Sequence, residues 1–183
     1  MPRPSPSTSS PASRLVGLSP VYRQECRILI LGSFPSPASL AARQYYGHAK
    51  NQFWRLLADS IHEPLLELDY QERIERTLAH QIGIWDVYKS CVRPGALDAD
   101  IRAGTMNDLA ALFAHMPHLE RLCFNGQTAG KHAPRLLSLA ASMLARTPET
   151  RILPSSSPAY TISFAHKLER WQEALTIAKP DMR

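Results

Sequence analysis

Polar and aromatic residues collect at four points along the chain, each just after a stretch that reads as a buried strand. The first is Gly32-Ser-Phe-Pro-Ser36, with Tyr45, Tyr46 and Asn51 close behind it. Gly32 suits a backbone that turns sharply or approaches a ligand, and Pro35 sets the outgoing path without offering a donor. One tyrosine of the pair is expected in the core. The other, lying between Gly32 and Gly47, could stack on a planar base, an interaction of about 1–3 kcal/mol. The Asn51 amide either caps the helix that follows or positions a water molecule or a substrate group.

The second point is Asp86, the sole acid in an otherwise apolar strand, where a carboxylate is costly unless hydrogen-bonded or put to use. Asn125 follows a third buried strand and can serve either a base edge or the loop backbone. The fourth point, Ser155-Ser-Ser-Pro-Ala-Tyr160, places hydroxyls and backbone amides at a strand end, a setting that suits phosphate contacts. His166, Lys167 and Arg170 on the last helix either extend that surface or form a solvated face. Other chemistries are excluded by spacing. Gly32 to Ser36 is not a phosphate loop, since no Gly-Lys-Ser/Thr ends it, and it is not the Gly-x-Ser-x-Gly elbow of a serine hydrolase. Cys26, Cys91 and Cys123 have no C-x-x-C pair, so no metal site is expected; they read as reduced, buried thiols.

The elements that must hold these residues alternate between strand and helix. Strands are expected at Arg27–Leu31, Ile82–Tyr88, Leu119–Phe124 and Arg151–Leu153. Helices are expected at about Asn51–Ile61, Tyr70–His80, Met106–His115 (capped by Thr105 or Asn107), Thr128–Ala145 and Ser163–Ala178. Lys89 to Asp100 reads as a polar loop. Such alternation predicts a mostly parallel sheet covered on both faces, with the loops after the strands on one rim where ligands bind.

Residues 1 to about 20 carry five prolines and six serines. That composition predicts a disordered tail, leaving residues 21–183 as a single domain. The chain has no apolar h-region near its start and no run of about 20 apolar residues, so a soluble, cytoplasmic protein without membrane contact is expected. The net charge is +5, and 16 of the 21 basic residues are arginine. Arginine's planar fork pairs with phosphate oxygens, so the charge favours a nucleic-acid partner.

Taken together, residues 25 to 178 resemble the uracil-DNA glycosylase superfamily, most closely its hypoxanthine-DNA (deoxyinosine) glycosylase branch. Gly32-Ser-Phe-Pro-Ser36 with Gln44-Tyr-Tyr-Gly and Asn51-Gln-Phe-Trp54 carries most of the resemblance. Trp85-Asp-Val-Tyr-Lys-Ser-Cys91 with Gly95-Ala-Leu-Asp98, and Phe124-Asn-Gly126 with Ser155 to Tyr160, add to it. The resemblance implies a three-layer α/β/α fold with a central, mostly parallel four-stranded sheet flanked by helices. It implies hydrolysis of the N-glycosidic bond of a deaminated base flipped out of DNA, hypoxanthine before uracil, with no cofactor and as a monomer. Most of the superfamily places a water-orienting Asn or Asp just after the glycine turn, where this chain has Ser33 and Phe34. In the branch resembled, that task passes to Asn51. Tyr46 is then the stacking ring, Gly32, Ser33 and Phe34 the pocket wall, and Asp86 and Asn125 the readers of the base edge. Ser36, Ser155, Ser157 and Lys167 would contact DNA, with Tyr160 as a wedge filling the vacated stack. A histidine usual at the start of the last motif is replaced by Ser155.

Overall fold

The computed structural model describes residues 13–177 of the 183. In chain order its strands are β1 (Arg14–Val16), β2 (Ile28–Gly32), β3 (Ile82–Asp86), β4 (Tyr88–Val92), β5 (Arg102–Met106), β6 (Arg121–Asn125) and β7 (Glu149–Leu153). Its helices are α1 (Pro37–Ala42), α2 (Phe53–Ile61), α3 (Tyr70–Ala79), α4 (Leu109–Ala114), α5 (Gln127–Gly130), α6 (Ala133–Met143) and α7 (Phe164–Leu175).

Ile28-Leu-Ile-Leu-Gly32 is buried at every position, as a strand covered on both faces must be. It lies between β3 and β6 in a four-stranded parallel sheet of order β3-β2-β6-β7. On β6 the Cys123 thiol reaches the Ala174 carbonyl of α7, so by the two-residue period Leu122 and Phe124 face the opposite layer. Helices therefore flank the sheet in the expected three-layer arrangement. The chain moves from β2 outward to β3 and then back across to β6. The reversal lies between β2 and β6, the place where parallel sheets open a ligand crevice beyond their carboxyl ends.

Local chemistry explains most element ends. Asp69 opens α3 with a reciprocal capping box to Glu72, and Ser163 caps α7 by accepting from the His166 amide. The helix expected from Thr128 to Ala145 is instead two helices, α5 and α6, meeting at His132. Pro134 has no N–H for the preceding turn and restarts the helix at its own N-terminus. The helix expected from Met106 begins at Leu109, capped by Asp108 rather than Thr105 or Asn107.

Four elements, β1, β4, β5 and α1, depart further from expectation. The segment read as a polar loop after residue 88 contains β4, which pairs antiparallel with both β1 and β5 in a second, three-stranded sheet. β1 falls inside the stretch expected as a tail; Arg14 donates to the Ser90 hydroxyl at 2.8 Å, and residues 1–12 of that stretch lie outside the described residues. α1 is short, yet its signal is present in the sequence. Ser36 accepts from the Ser39 amide at 3.1 Å as N-cap, and Pro37 occupies the first turn.

Candidate active site

Because all four strands of the main sheet are parallel, Gly32, Asp86, Asn125 and Leu153 end on the same rim, and a cavity of about 550 Å³ opens there. Gly32 and Asp86 are register partners, so the Asp86 carboxyl rises beside a residue with no side chain. A Cβ on Gly32 would lie 2.4 Å from Asp86 Oδ1 and 3.0 Å from the Tyr46 hydroxyl. The absent side chain is the space into which those two groups converge. Asp86 is 4% exposed, and neither its Oδ2 nor the Tyr46 hydroxyl has a hydrogen-bond partner among the described residues. The Asn125 amide is near enough to that hydroxyl to favour its ionised form, without closing a full hydrogen bond. Burial nonetheless holds the phenol above its ordinary pKa, with the Asp86 charge adding to the effect.

Both tyrosines line the cavity, but Tyr45 is buried and donates to the Ser19 carbonyl at 2.9 Å, whereas Tyr46 is half-buried. Its ring is backed by Phe53, parallel within 8° at a centroid separation of 3.6 Å, which holds the plane rigid. A left-handed φ of 53° at Tyr46 turns the chain at that point. Asn51 lines the same cavity. Its Oδ1 accepts from the Phe53 amide at 2.9 Å, although Asn51 stands one residue ahead of the Gln52 that occupies the N-cap of α2, and one lone pair plus the whole NH2 group remain for a ligand or water.

Asn125 is used differently from the edge-reading role considered for it. Its Nδ2 donates to Ser156 Oγ at 2.8 Å and its Oδ1 accepts from the Ser156 amide at 2.9 Å. Both ends of the amide clamp β6 to the loop after β7, which favours the loop-holding alternative. Gln52 completes the clamp by donating its amide to the Ser156 carbonyl at 3.0 Å.

Lys167 corrects the sequence-based expectation. It is 1% exposed, and its Nζ donates to Gln52 Oε1 at 2.9 Å and to the Tyr160 carbonyl at 2.6 Å. It is a strut between α2, α7 and the 154–160 loop, and has no exposed charge to offer a phosphate. Its neighbours on α7, His166 and Arg170, are the ones that line the cavity mouth. Tyr160 is 44% exposed on the same rim, and Ser155 and Ser157 line it, although their hydroxyls accept from the amides of Ser157 and Ala159. Ser36 also lines the cavity while capping α1. Ser33 and Phe34 are buried in the wall.

Two cavity residues were given no site role in the sequence, although Asp98 closes the Gly95-Ala-Leu-Asp98 motif and Arg93 lies just before it. Arg93 is buried, donates to the Pro35 carbonyl at 2.5 Å, and lies 5.2 Å over the Phe34 ring with its Nε unpartnered among the described residues. Asp98 stands at the rim, where burial of its carboxyl raises its pKa while Ser33, Arg93 and Thr128 oppose the rise. Together they set the field on Asp86. Burial is the largest influence and Asp98 the second; Arg93 pulls the other way, and the result is a carboxyl pushed up to about 8. At neutral pH the cavity floor therefore carries a neutral carboxylic acid, able to donate as well as accept. A planar ring, an amide and a protonated acid around a slot of this size suit a heterocyclic base.

Comparison with known proteins agrees with this chemistry. The chain is 39% identical over 158 residues to a Methanosarcina barkeri protein named hypoxanthine DNA glycosylase, covering 86% of this chain and 96% of that one. It is 36% identical over 156 residues to a protein of the same name from Methanosarcina acetivorans, covering 85% and 94%. The solution NMR structure of a candidate uracil DNA glycosylase from Methanosarcina acetivorans superposes with a TM-score of 0.78 at 34% identity, over 89% of this chain and 97% of that one. The family model described as the uracil DNA glycosylase superfamily matches residues 19–178, and the chain belongs to that superfamily.

Proposed function

We propose that the protein is a monofunctional DNA glycosylase that hydrolyses the N-glycosidic bond of a deaminated base, with hypoxanthine as the preferred base. The observation that carries this reading is the meeting of Asp86, Tyr46 and Asn51 in one cavity at the strand ends, in a chain whose relatives are named for hypoxanthine. The target nucleotide leaves the duplex at a cost of a few kcal/mol, lower for a mismatched pair. Tyr46, braced by Phe53, stacks on the base. Asp86 addresses its polar edge. Asn51 holds the attacking water through the lone pair left on Oδ1, while the hydroxyls of Ser155 and Ser157 grip the phosphates. Arg170 and His166 extend the basic rim, and Tyr160 enters the gap in the stack.

Three duplexes test the reading, carrying deoxyinosine, deoxyuridine or deoxyxanthosine, with abasic sites then cleaved by alkali. Excision of hypoxanthine ahead of uracil is the expected result. Excision of uracil opposite guanine alone would favour the second reading, a mismatch-specific uracil glycosylase using the same residues. Binding with no strand breaks from any duplex would leave a DNA-binding module of this fold. Asn51→Ala should slow single-turnover excision by about 10² or more with duplex affinity preserved; an unaltered rate would remove Asn51 from catalysis. We infer a cytoplasmic monomer, for which light scattering should return a single species near 20.5 kDa.

A further inference from the structure

We propose that Asp86 is the general acid of the reaction, delivering its proton to N7 of the departing purine. This deepens the hypoxanthine reading and rests on it. Geometry comes first. The carboxyl sits at the cavity floor against the bare face of Gly32, and its Oδ2 faces no partner among the described residues. An orphaned buried polar atom at a cavity floor marks a place that a ligand or a water molecule completes. The Tyr46 hydroxyl, also unpartnered, meets it over the same glycine, so the two groups present one polar edge to a bound base.

The surroundings keep the proton on Asp86 rather than on its neighbours. Tyr45 and Tyr46 face it from the segment before α2, and burial keeps both phenols neutral. Arg93 faces it from the segment after β4 as a permanent cation, and Asp98 from the short helix that follows. Ser33 and Thr128 lie near enough to Asp98 to favour its ionised form. Asp86 Oδ2 has no hydrogen-bond partner among the described residues, and its carboxyl stays protonated up to a pH of about 8. An ionised carboxylate there would repel the electrons that collect on the base as it leaves. A protonated one removes that obstacle and neutralises the leaving group.

The step balances as follows. The C1′–N9 bond breaks and its electron pair passes into the purine, while the Asp86 proton forms a bond to N7, so hypoxanthine departs neutral. Water adds its oxygen to C1′ and releases one proton, which restores the Asp86 acid. The sum is deoxynucleotide plus water giving free base plus an abasic sugar.

The test is single-turnover excision of deoxyinosine from about pH 5 to about pH 10, for the wild type, Asp86→Asn and Asp86→Glu. The wild-type rate should hold below neutrality and fall about tenfold per pH unit above about 8. Asp86→Asn should be slower by roughly 10²–10⁴ at pH 6.5 and show no alkaline fall, while duplex affinity is retained. Asp86→Glu should recover a limb, which also guards against a fold defect in the amide variant. Asp98→Asn, by removing a like charge, should move the wild-type limb to lower pH. A duplex carrying 7-deaza-deoxyinosine, which has no N7 lone pair, should bind without release of its base. Wild-type rates from Asp86→Asn, an alkaline fall that survives in it, or brisk excision of the 7-deaza base would each overturn the assignment. Failure of the wild type to excise hypoxanthine at any pH would overturn the substrate reading beneath it, a different and recognisable result.

Discussion

Asp86 couples the chemistry of the site to the stability of the fold. Burial raises its carboxyl from the ordinary 3.8 to about 8, so between those values the folded protein holds a proton that the unfolded chain has released. A raised pKa contributes stability that is complete below the unfolded value and disappears as pH rises through the folded one. Stability should therefore decline from about pH 4 to about pH 8 through this residue. Asp86→Asn has no proton to hold, so its Tm should gain on the wild type progressively across that window; a constant difference from pH 5 to pH 8 would contradict the burial argument. Gly32 is the other residue whose identity is set by Asp86. Gly32→Ala places a methyl group 2.4 Å from Asp86 Oδ1 and 3.0 Å from the Tyr46 hydroxyl, so the carboxyl must leave its place over the glycine. We expect a loss of about 1–3 kcal/mol in urea unfolding together with most of the excision rate.

At the scale of elements, the 154–160 loop owes its position to groups from three other segments. Asn125 at the end of β6 and Gln52 before α2 hold Ser156, and Lys167 from α7 holds the Tyr160 carbonyl and Gln52. Lys167→Met would orphan two acceptors, each at about 1–3 kcal/mol, and should lower Tm by roughly 5 °C or more. Its duplex affinity should keep the wild-type salt dependence, because the buried ammonium touches no phosphate. A shallower slope would return Lys167 to the DNA surface. The element boundaries were legible where the signal was local. Asp69 with Glu72 announced α3, Ser163 announced α7, and the unbroken apolar run announced β2. β4 and β5 were not legible, since Tyr88–Val92 and Arg102–Met106 carry little apolar alternation and become strands only by pairing with each other and with β1. Pro134, inside the expected long helix, divides it by starting α6 anew.

At the scale of the molecule, the +5 charge and the basic rim around a neutral-floored cavity separate two tasks, attraction and chemistry. Arg170 lines the mouth and pairs with an exposed Glu173 at 3.1 Å. Arg170→Ala should weaken duplex binding and reduce the slope of log K against log salt by about one, with little change in the saturated excision rate. An unchanged slope would place the DNA path elsewhere on the surface.

The sequence by itself determined what depends on near neighbours. The order of strands and helices follows from hydrophobic period and caps, and the row of chemical residues after each strand follows from that order. Gly32, Tyr46, Asn51 and Asp86 could all be placed on one rim because parallel strands must end together. Only the tertiary structure decided what each of them has for company. Lys167 meets Gln52 across 115 positions of chain, Arg93 enters the cavity from between two motif segments, and Asp86 is left with an oxygen that has no partner among the described residues. Solvation and hydrogen-bond partners are long-range properties, and they turn a polar residue into a strut, a clamp or an acid.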